Sequence, residues 1–287
     1  MLYRISDGLF YILYYVVRYR RPLVRKNLAD SFPEKQAAEI VAIEKAFYAW
    51  FCDYIVEALK MFSISEKNIS RRMKFVGSEM IAESMRQGKT CSLYLGHYCN
   101  WEWITSMPLH VKDGISSQIY HPLENKAVDL AFQKMRSRFG CVNIAMDNSF
   151  RKIVTWKRQG RPNTVGYIAD QAPGLHNVHL WVDFLNHDTP VFTGAEKITR
   201  VTDSEVFYAD MERPKRGYYV CTFRKMTLPP GGYENFYYTK EYFRLLEQSI
   251  RRAPQYWLWS HNRWKRTREQ FNREYSEEER KRMLGRL

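Results

Sequence analysis

Two residues with complementary proton chemistry lie five positions apart in the segment GHYCNWE. His97 can take up or release a proton near neutral pH, and Glu102 can hold the imidazole in one tautomer and stabilise its charged form. Five residues span about 140° around a regular helix, so the two side chains do not share a helical face. The pair therefore needs His97 in a turn before the helix, which Gly96 favours, and Glu102 in the first helical turn. This spacing indicates a general base with its orienting carboxylate, and the alternative is a structural or capping histidine.

Other residues offer weaker chemical possibilities. Cys99 is close to His97 in sequence and could be a nucleophile, but near neighbours seldom face each other and a buried thiol is usually inert. His176 and His179 could bind a metal, but two histidines without a third ligand are poor evidence. We therefore expect no metal site.

The elements that position these residues alternate between strand-like and helical segments. The predicted strands are 90–95, 115–120, 142–145, 164–169, 205–209 and 218–223, and the predicted helices are 34–62, 125–139, 241–252 and 265–287. This alternation favours an α/β fold with a mixed, mostly parallel sheet flanked by helices, in a single domain over residues 1–287. Ligands gather at the carboxyl ends of such strands, where His97, Asp170 and Gln171 are expected.

The start of the 34–62 helix has its own sequence signal. Ser31 and Glu34 fit a capping box, and Pro33 between them fits a first helical turn. The spacing predicts that the helix begins there.

The N-terminus combines apolar and basic residues. Residues 9–17 read LFYILYYVV, which is far short of the roughly 20 residues of a spanning helix. A basic collar follows directly, formed by Arg18, Arg20, Arg21, Arg25 and Lys26. We interpret residues 1–30 as an interfacial membrane-associating helix with this collar. A buried core helix, or a longer anchor that preceded Met1, are the alternatives.

Composition narrows the class of protein. The 287 residues include 45 Lys and Arg against 31 Asp and Glu, a net charge of +14, which favours anionic partners such as a membrane surface, nucleic acid or an acidic protein. The hydrophobic content of 45% and aromatic content of 15% exclude a disordered chain. The five scattered cysteines are expected to be reduced thiols of a cytosolic compartment.

Several motifs carry a family resemblance. The His97-to-Glu102 segment resembles the HxxxxD/E signature of the lysophospholipid acyltransferase superfamily. Four more elements are similar, in order, to elements of the bacterial lipid A biosynthesis acyltransferase family: RYR (18–20) with VRKNLADSFP (24–33), RSRFG (136–140), DQAP (170–173) and PQYWLWSHNRWK (254–265). The similarity covers nearly the whole chain, and the implied fold is glycerol-3-phosphate acyltransferase-like. Tyr120-His121-Pro122 departs from it, because relatives often carry Arg or Lys after the Tyr, which puts a headgroup contact there in doubt.

The resemblance implies an O-acyl transfer with no cofactor. An acyl thioester on acyl carrier protein or coenzyme A is the co-substrate, His97 deprotonates an acceptor hydroxyl, and Glu102 orients His97. The resemblance also implies substrate-binding residues, namely Asn100, Arg136, Arg138, Asp170 and Gln171. Both arginines suit phosphate or headgroup contact through their guanidinium forks, although they could be surface charges at a helix end. Asp170 and Gln171 could equally be a turn-capping pair.

The same resemblance implies where the protein acts. The expected partners are acyl carrier protein, the anionic inner membrane and a phosphorylated glycolipid acceptor, with no nucleic acid, at the cytoplasmic face of the bacterial inner membrane. Two alternatives remain open at this point. The acceptor could be a lysophospholipid, another glycolipid, an amino-acid lipid or a polyene pigment, or the chain could be a non-catalytic basic protein that binds lipid or nucleic acid.

Overall fold

The computed structural model describes residues 2–286. The helices are α1 (Leu2–Tyr11), α2 (Arg21–Ser31), α3 (Ala37–Lys60), α4 (Glu66–Arg72), α5 (Ser78–Arg86), α6 (Lys126–Arg136), α7 (Met146–Arg158), α8 (Gly194–Thr202), α9 (Tyr237–Arg252), α10 (Arg268–Glu274) and α11 (Glu277–Met283). The strands are β1 (Met73–Val76), β2 (Thr90–Leu95), β3 (Ile115–Tyr120), β4 (Val142–Ala145), β5 (Asn163–Ile168), β6 (Leu180–Phe184), β7 (His187–Val191), β8 (Glu205–Lys215) and β9 (Tyr218–Lys225).

The chain forms two compact units. The first contains Met1–Glu57, Ala169–Thr193 and Glu234–Leu287, and the second contains Ala58–Ile168 and Gly194–Tyr233. Each unit is assembled from separate stretches of the chain. The single domain over residues 1–287 stays a prediction.

The second unit is built on a seven-stranded sheet in the order β1-β9-β8-β2-β5-β3-β4. Every strand pair is parallel except β8 with β9, and helices α5, α7 and α8 pack against the sheet. This confirms the predicted α/β class with a mostly parallel sheet. Strand β2 is buried at all six positions and pairs with β5 and β8 on its two sides. Burial on both faces is typical of a central parallel strand that helices cover, and the segment TCSLYL has no charged side chain that would oppose it.

The first unit consists of helices and the β6–β7 hairpin. The hairpin pairs in antiparallel register, and Val191 and Phe184 on it are fully buried. Helices α1 and α2, and α3 as far as Glu57, form the N-terminal part of this unit. The predicted 265–287 helix is instead two short helices, α10 and α11, because each begins at its own capping box, at Thr267 and Ser276.

The predicted capping box at Ser31 and Glu34 is wrong. Ser31 is the last residue of α2 and is buried, so it cannot start the next helix. Helix α3 begins at Ala37, and the Glu39 carboxylate caps it by accepting from the Gln36 backbone N–H at 2.9 Å. A Ser and a Glu at capping-box spacing can therefore also lie at the end of one helix, and the spacing alone does not show that a helix begins there.

A buried carboxylate fixes the basic collar of the first unit to α3. Glu44 has no exposed surface, and it accepts hydrogen bonds from Arg25 Nε at 2.7 Å and Arg21 Nε at 3.1 Å. Burial would raise the pKa of Glu44, but hydrogen bonds from Arg25, Tyr14 and Arg21 outweigh it, and the pKa is lowered. Two of the arginines assigned to membrane attraction are thus counter-ions of a buried acid.

The apolar N-terminal run is α-helical to Tyr11 and then forms a π-helical turn over Ile12–Val16. Tyr14 is buried, whereas 76% of Val16 and 64% of Tyr11 are exposed. The run therefore presents an apolar face to solvent and is not simply a core helix. Over residues 2–286, no helix combines the length and the apolar character needed to cross a membrane.

Candidate active site

His97 lies in the turn that follows the central strand β2, as the spacing predicts. The strand ends at Leu95, and a 3-10 helix over Trp101–Leu109 begins after the turn. The left-handed backbone position of this turn is Cys99, with φ 53°. His97 is half-buried, and its ring meets the Trp101 indole edge to face at a centroid distance of 5.0 Å. A sharp turn at a strand end thus presents an imidazole that is packed on one side.

Asn100 starts the helix that carries Glu102. Its side-chain oxygen accepts a hydrogen bond from the Trp103 backbone N–H at 3.2 Å, and the residue is fully buried. This is the usual role of an N-cap asparagine. Glu102 is the second residue of that helix, so it lies in the first turn, where the sequence places it. Substrate binding by Asn100 stays a prediction, beside this capping role.

Arg136 forms a bidentate ion pair with Glu102. Its Nε donates to one carboxylate oxygen at 2.8 Å and its Nη2 to the other at 2.6 Å. Only 2% of the Glu102 side chain and 23% of the Arg136 side chain are exposed. A carboxylate has about four lone-pair sites, and this pair uses two, so Glu102 can still accept from an imidazole N–H. The geometry fixes the plane of the carboxylate.

The sequence did not reveal this role of Arg136. The two residues are 34 positions apart, with Glu102 on the 3-10 helix and Arg136 at the last position of α6. The sequence indicates only a basic residue near a helix end, which suits a phosphate or headgroup contact. Contact of Arg136 with a substrate stays a prediction, and its contact with Glu102 excludes the alternative of a mere solubility charge.

Arg138 has a different environment. It is exposed, its Nη1 donates to the Met61 backbone carbonyl at 2.5 Å, and its guanidinium lies 5.2 Å from the centre of the Phe139 ring. It therefore fastens the end of the α6 region to the chain after α3. A headgroup contact by Arg138 stays a prediction.

Asp170 lies in the first unit, where it is 2% exposed and accepts a hydrogen bond from the Trp257 indole N–H at 2.8 Å. Arg263, fully buried in the same unit, has its pKa lowered to about 10 by burial, with Asp170 acting in the opposite direction. After the half-buried Gln171, the Ala172 backbone N–H donates to His261 Nε2 at 3.3 Å. The DQAP segment is thus joined to the C-terminal tryptophan-rich segment, a structural role that the sequence did not show for Asp170. Substrate binding by Asp170 and Gln171 stays a prediction.

Two thiols of the second unit, Cys99 and Cys141, are poorly suited to nucleophilic chemistry. Cys99 is buried without exposed surface. Burial raises the pKa of Cys141 to about 12, although Arg136 opposes the shift. Within the described residues 2–286, no group of three or more His, Cys, Asp or Glu side chains is placed to hold a metal ion.

The fold and the site define an α/β protein with a His-x4-Glu site. The histidine lies at the carboxyl end of a central parallel strand, and the glutamate five residues later is held by a bidentate ion pair. The chain belongs to the bacterial lipid A biosynthesis acyltransferase family, whose family model matches residues 1–266. It is similar to a lipid A biosynthesis acyltransferase of Haemophilus influenzae, with 26% identity over 197 residues. The match covers 65% of this chain and 58% of the relative's length.

Proposed function

We propose that the protein is an O-acyltransferase that moves a fatty acyl group from an acyl thioester, on acyl carrier protein or coenzyme A, to a hydroxyl of a lipid A precursor. The observation that carries this proposal is the placement of His97 in the turn after β2. A buried Glu102 follows five residues later, and Arg136 holds it in a bidentate pair. Family membership supports the reaction class.

The proposed reaction needs one proton carrier and one positioned carboxylate. An imidazole nitrogen of His97 takes the proton from the acceptor hydroxyl as its oxygen bonds to the thioester carbonyl carbon. The tetrahedral oxyanion then collapses, the carbon–sulfur bond breaks, and the leaving thiolate takes the proton from His97. The products are an ester and a free thiol. The negative charge of Glu102 favours the imidazolium that exists between these two steps.

Arg136 fixes the orientation of the Glu102 carboxylate. A carboxylate held by two parallel N–H···O bonds cannot rotate, so its remaining lone pairs point in fixed directions. Arg136 offsets much of the charge of Glu102, so the pair acts on His97 mainly by orienting the imidazole. We therefore assign Arg136 as a positioning residue that acts through Glu102.

The acceptor and donor are tested together in one assay. Purified protein is incubated with a lipid A precursor and an acyl thioester, either of acyl carrier protein or of coenzyme A. Free thiol is followed with a chromogenic disulfide, and the mass of the lipid product is determined by mass spectrometry. The proposal expects equal amounts of thiol and of precursor heavier by one acyl group. Thiol release only with a lysophospholipid or another acceptor would contradict the lipid A assignment, and no thiol release with any acceptor would contradict the enzyme.

We also propose that the N-terminal apolar face docks the protein on the cytoplasmic face of the inner membrane. Exposed side chains of this face include Ile5, Tyr11, Ile12, Tyr15, Val16 and Val17. Aromatic and aliphatic side chains of this kind partition into the headgroup boundary. Because Arg21 and Arg25 are bound by Glu44, apolar contact has to supply more of the attachment than the charges of the collar suggest.

Vesicle flotation separates the two contributions. With vesicles that contain phosphatidylglycerol, Val16→Asp should reduce the bound fraction several-fold, whereas Val201→Asp, at an exposed position on α8, should not. High salt should remove only part of the binding, because screening over about 8–10 Å weakens the charges and leaves apolar burial intact. Equal binding of the two variants would contradict docking through this face.

A further inference from the structure

A cavity in the first unit has no role in the proposed reaction. It has a volume of about 440 Å³ and lies among α2, the turn into β7 and the segment that leads into α10. Its charged and aromatic lining includes Lys26, His187, Asp188, Trp264, Arg266 and Arg268. All of these residues belong to the first unit.

Arg266 is the most informative residue of this cavity. It is half-buried, and its Nε is buried with no hydrogen-bond partner within the described part of the chain. The Arg266 guanidinium also has no ion-pair partner within the described part of the chain, and an anion in the cavity would supply one. The acceptor that suits a guanidinium best is an oxyanion, because the planar fork can make two parallel hydrogen bonds to it.

The acidic residues of the lining do not cancel this preference. Both carboxylate oxygens of Asp188 accept from Arg268, so that pair is neutral. Glu269 also lines the cavity, and hydrogen bonds from its own backbone N–H and from Thr267 lower its pKa. Its carboxylate stays charged at the start of α10, but the cations of the lining, Lys26, Arg266 and Arg268, outnumber the two carboxylates.

Lys26 supplies a second cation from another element. Its ammonium lies 2.5 Å from Asp30 one turn along α2, but 72% of the Lys26 side chain is exposed. Exposed ion pairs at this spacing contribute little, so Lys26 can exchange Asp30 for a ligand at small cost. Lys26 and Arg266 can therefore contact one anion from two elements.

One wall of the cavity is rigid. The Trp264 indole stacks on the His187 ring with a centroid distance of 3.8 Å and an angle of 14°, and its N–H donates to Thr189 Oγ1 at 3.0 Å. His187 is held in turn through Nδ1, which lies 2.6 Å from the Leu185 carbonyl. A wall held in this way fixes the segment between Trp264 and Arg266 before a ligand arrives.

We infer that this cavity is a binding site for a phosphate monoester or inorganic phosphate. A phosphate group offers three or more oxygens and up to two negative charges, which matches a guanidinium and an ammonium that approach from separate elements better than the two oxygens of a carboxylate do. The phosphate could be free in solution or be carried by a lipid headgroup, and the chemistry of recognition is the same.

Calorimetric titration of the full chain with inorganic phosphate tests the site. Loss of one charged hydrogen-bond donor should weaken binding by roughly 10- to 100-fold in Arg266→Gln, with a smaller loss in Lys26→Gln. The matched control is Lys265→Gln, which removes the same charge from the next position, outside the lining. We expect its affinity to stay within about twofold of that of the unmodified protein. Equal phosphate affinity in all four proteins, or no binding at millimolar phosphate, would overturn the inference.

Vesicles separate the two sources of phosphate. If the headgroup is the ligand, Arg266→Gln should lose binding to phosphatidylcholine vesicles that contain phosphatidate, a monoester, and keep binding to those that contain phosphatidylglycerol, a diester. If the ligand is free phosphate, both vesicles should bind both proteins equally while calorimetry still shows the loss. Equal loss on both vesicle types with unchanged calorimetry would refute the site. Calorimetry and vesicle binding do not depend on thiol release, so a failure of the phosphate site is distinguishable from a failure of the proposed reaction.

Discussion

The ion pair between Arg136 and Glu102 allows a sharp prediction for Arg136→Ala. The substitution leaves a carboxylate that is 2% exposed without its counter-ion. Removal of one partner of a buried pair costs about 3–5 kcal/mol, and since 23% of Arg136 is exposed we expect about 3 kcal/mol, at the lower end. Turnover should also fall, by about 100-fold, because the carboxylate that orients His97 is no longer held.

A graded series separates positioning from stability. Arg136→Lys keeps the charge but loses the fork, so it should recover most of the stability and only part of the turnover. Arg136→Gln keeps a donor without charge and should recover less of both. Each variant is assayed for thiol release with saturating donor and acceptor, and for unfolding in urea on the same preparation.

The control for this series is Arg138→Ala. Arg138 has the same charge two residues away, and it is exposed and donates to a main-chain carbonyl. We expect a loss of stability of about 1 kcal/mol or less and a turnover within a fewfold of normal. Normal kcat in a folded Arg136→Ala protein, or equal losses in the two alanine variants, would refute the positioning role.

Two further predictions concern stability. Burial would raise the pKa of Glu205, but hydrogen bonds from Lys225, Lys89 and Ser84 lower it to about 2. The contribution of these hydrogen bonds to the free energy of unfolding is therefore present above pH 4.5 and is lost as the pH falls toward 2. The difference in free energy of unfolding between the normal protein and Glu205→Gln should therefore shrink over that range, and a difference that does not change with pH would contradict this role. Asp170→Ala removes the acceptor of the Trp257 indole and should cost about 2–5 kcal/mol in urea unfolding, and a cost below 1 kcal/mol would contradict its structural role.

The sheet was largely predictable from sequence because its strands are short apolar runs that end at turn residues. Strands β2, β3 and β4 have the predicted bounds, and β8 and β9 extend beyond theirs. The β6–β7 hairpin was not predicted. Its turn places Leu185 and Asn186 at φ 52° and 63°, where the usual signal is Asn-Gly or Asp-Gly. Full burial of Leu185 offsets the strain of its left-handed backbone, and burial is not visible in a local pattern.

In the candidate site, too, the local structure was predictable from sequence and the long-range contacts were not. The positions of His97 and Glu102 followed from their spacing, because a turn and the helix after it are local structures. The contact between Glu102 and Arg136 joins elements 34 residues apart, and only the fold brings them together. The collar arginines show the reverse case. The run of basic residues that includes Arg21 and Arg25 predicts contact with a membrane, but the buried Glu44 on α3 binds both side chains.

The proposed reaction depends most on the coupling of His97 to Glu102. Thiol release is measured with saturating donor and acceptor for His97→Ala, Glu102→Gln and the double variant, together with urea unfolding of each preparation. General base catalysis contributes about 10²- to 10⁴-fold, so each single variant should lose turnover by that order while staying folded. The double variant should be scarcely slower than the worse single, because residues that act as a unit are not additive. Full turnover in a well-folded His97→Ala protein would contradict the proposed mechanism.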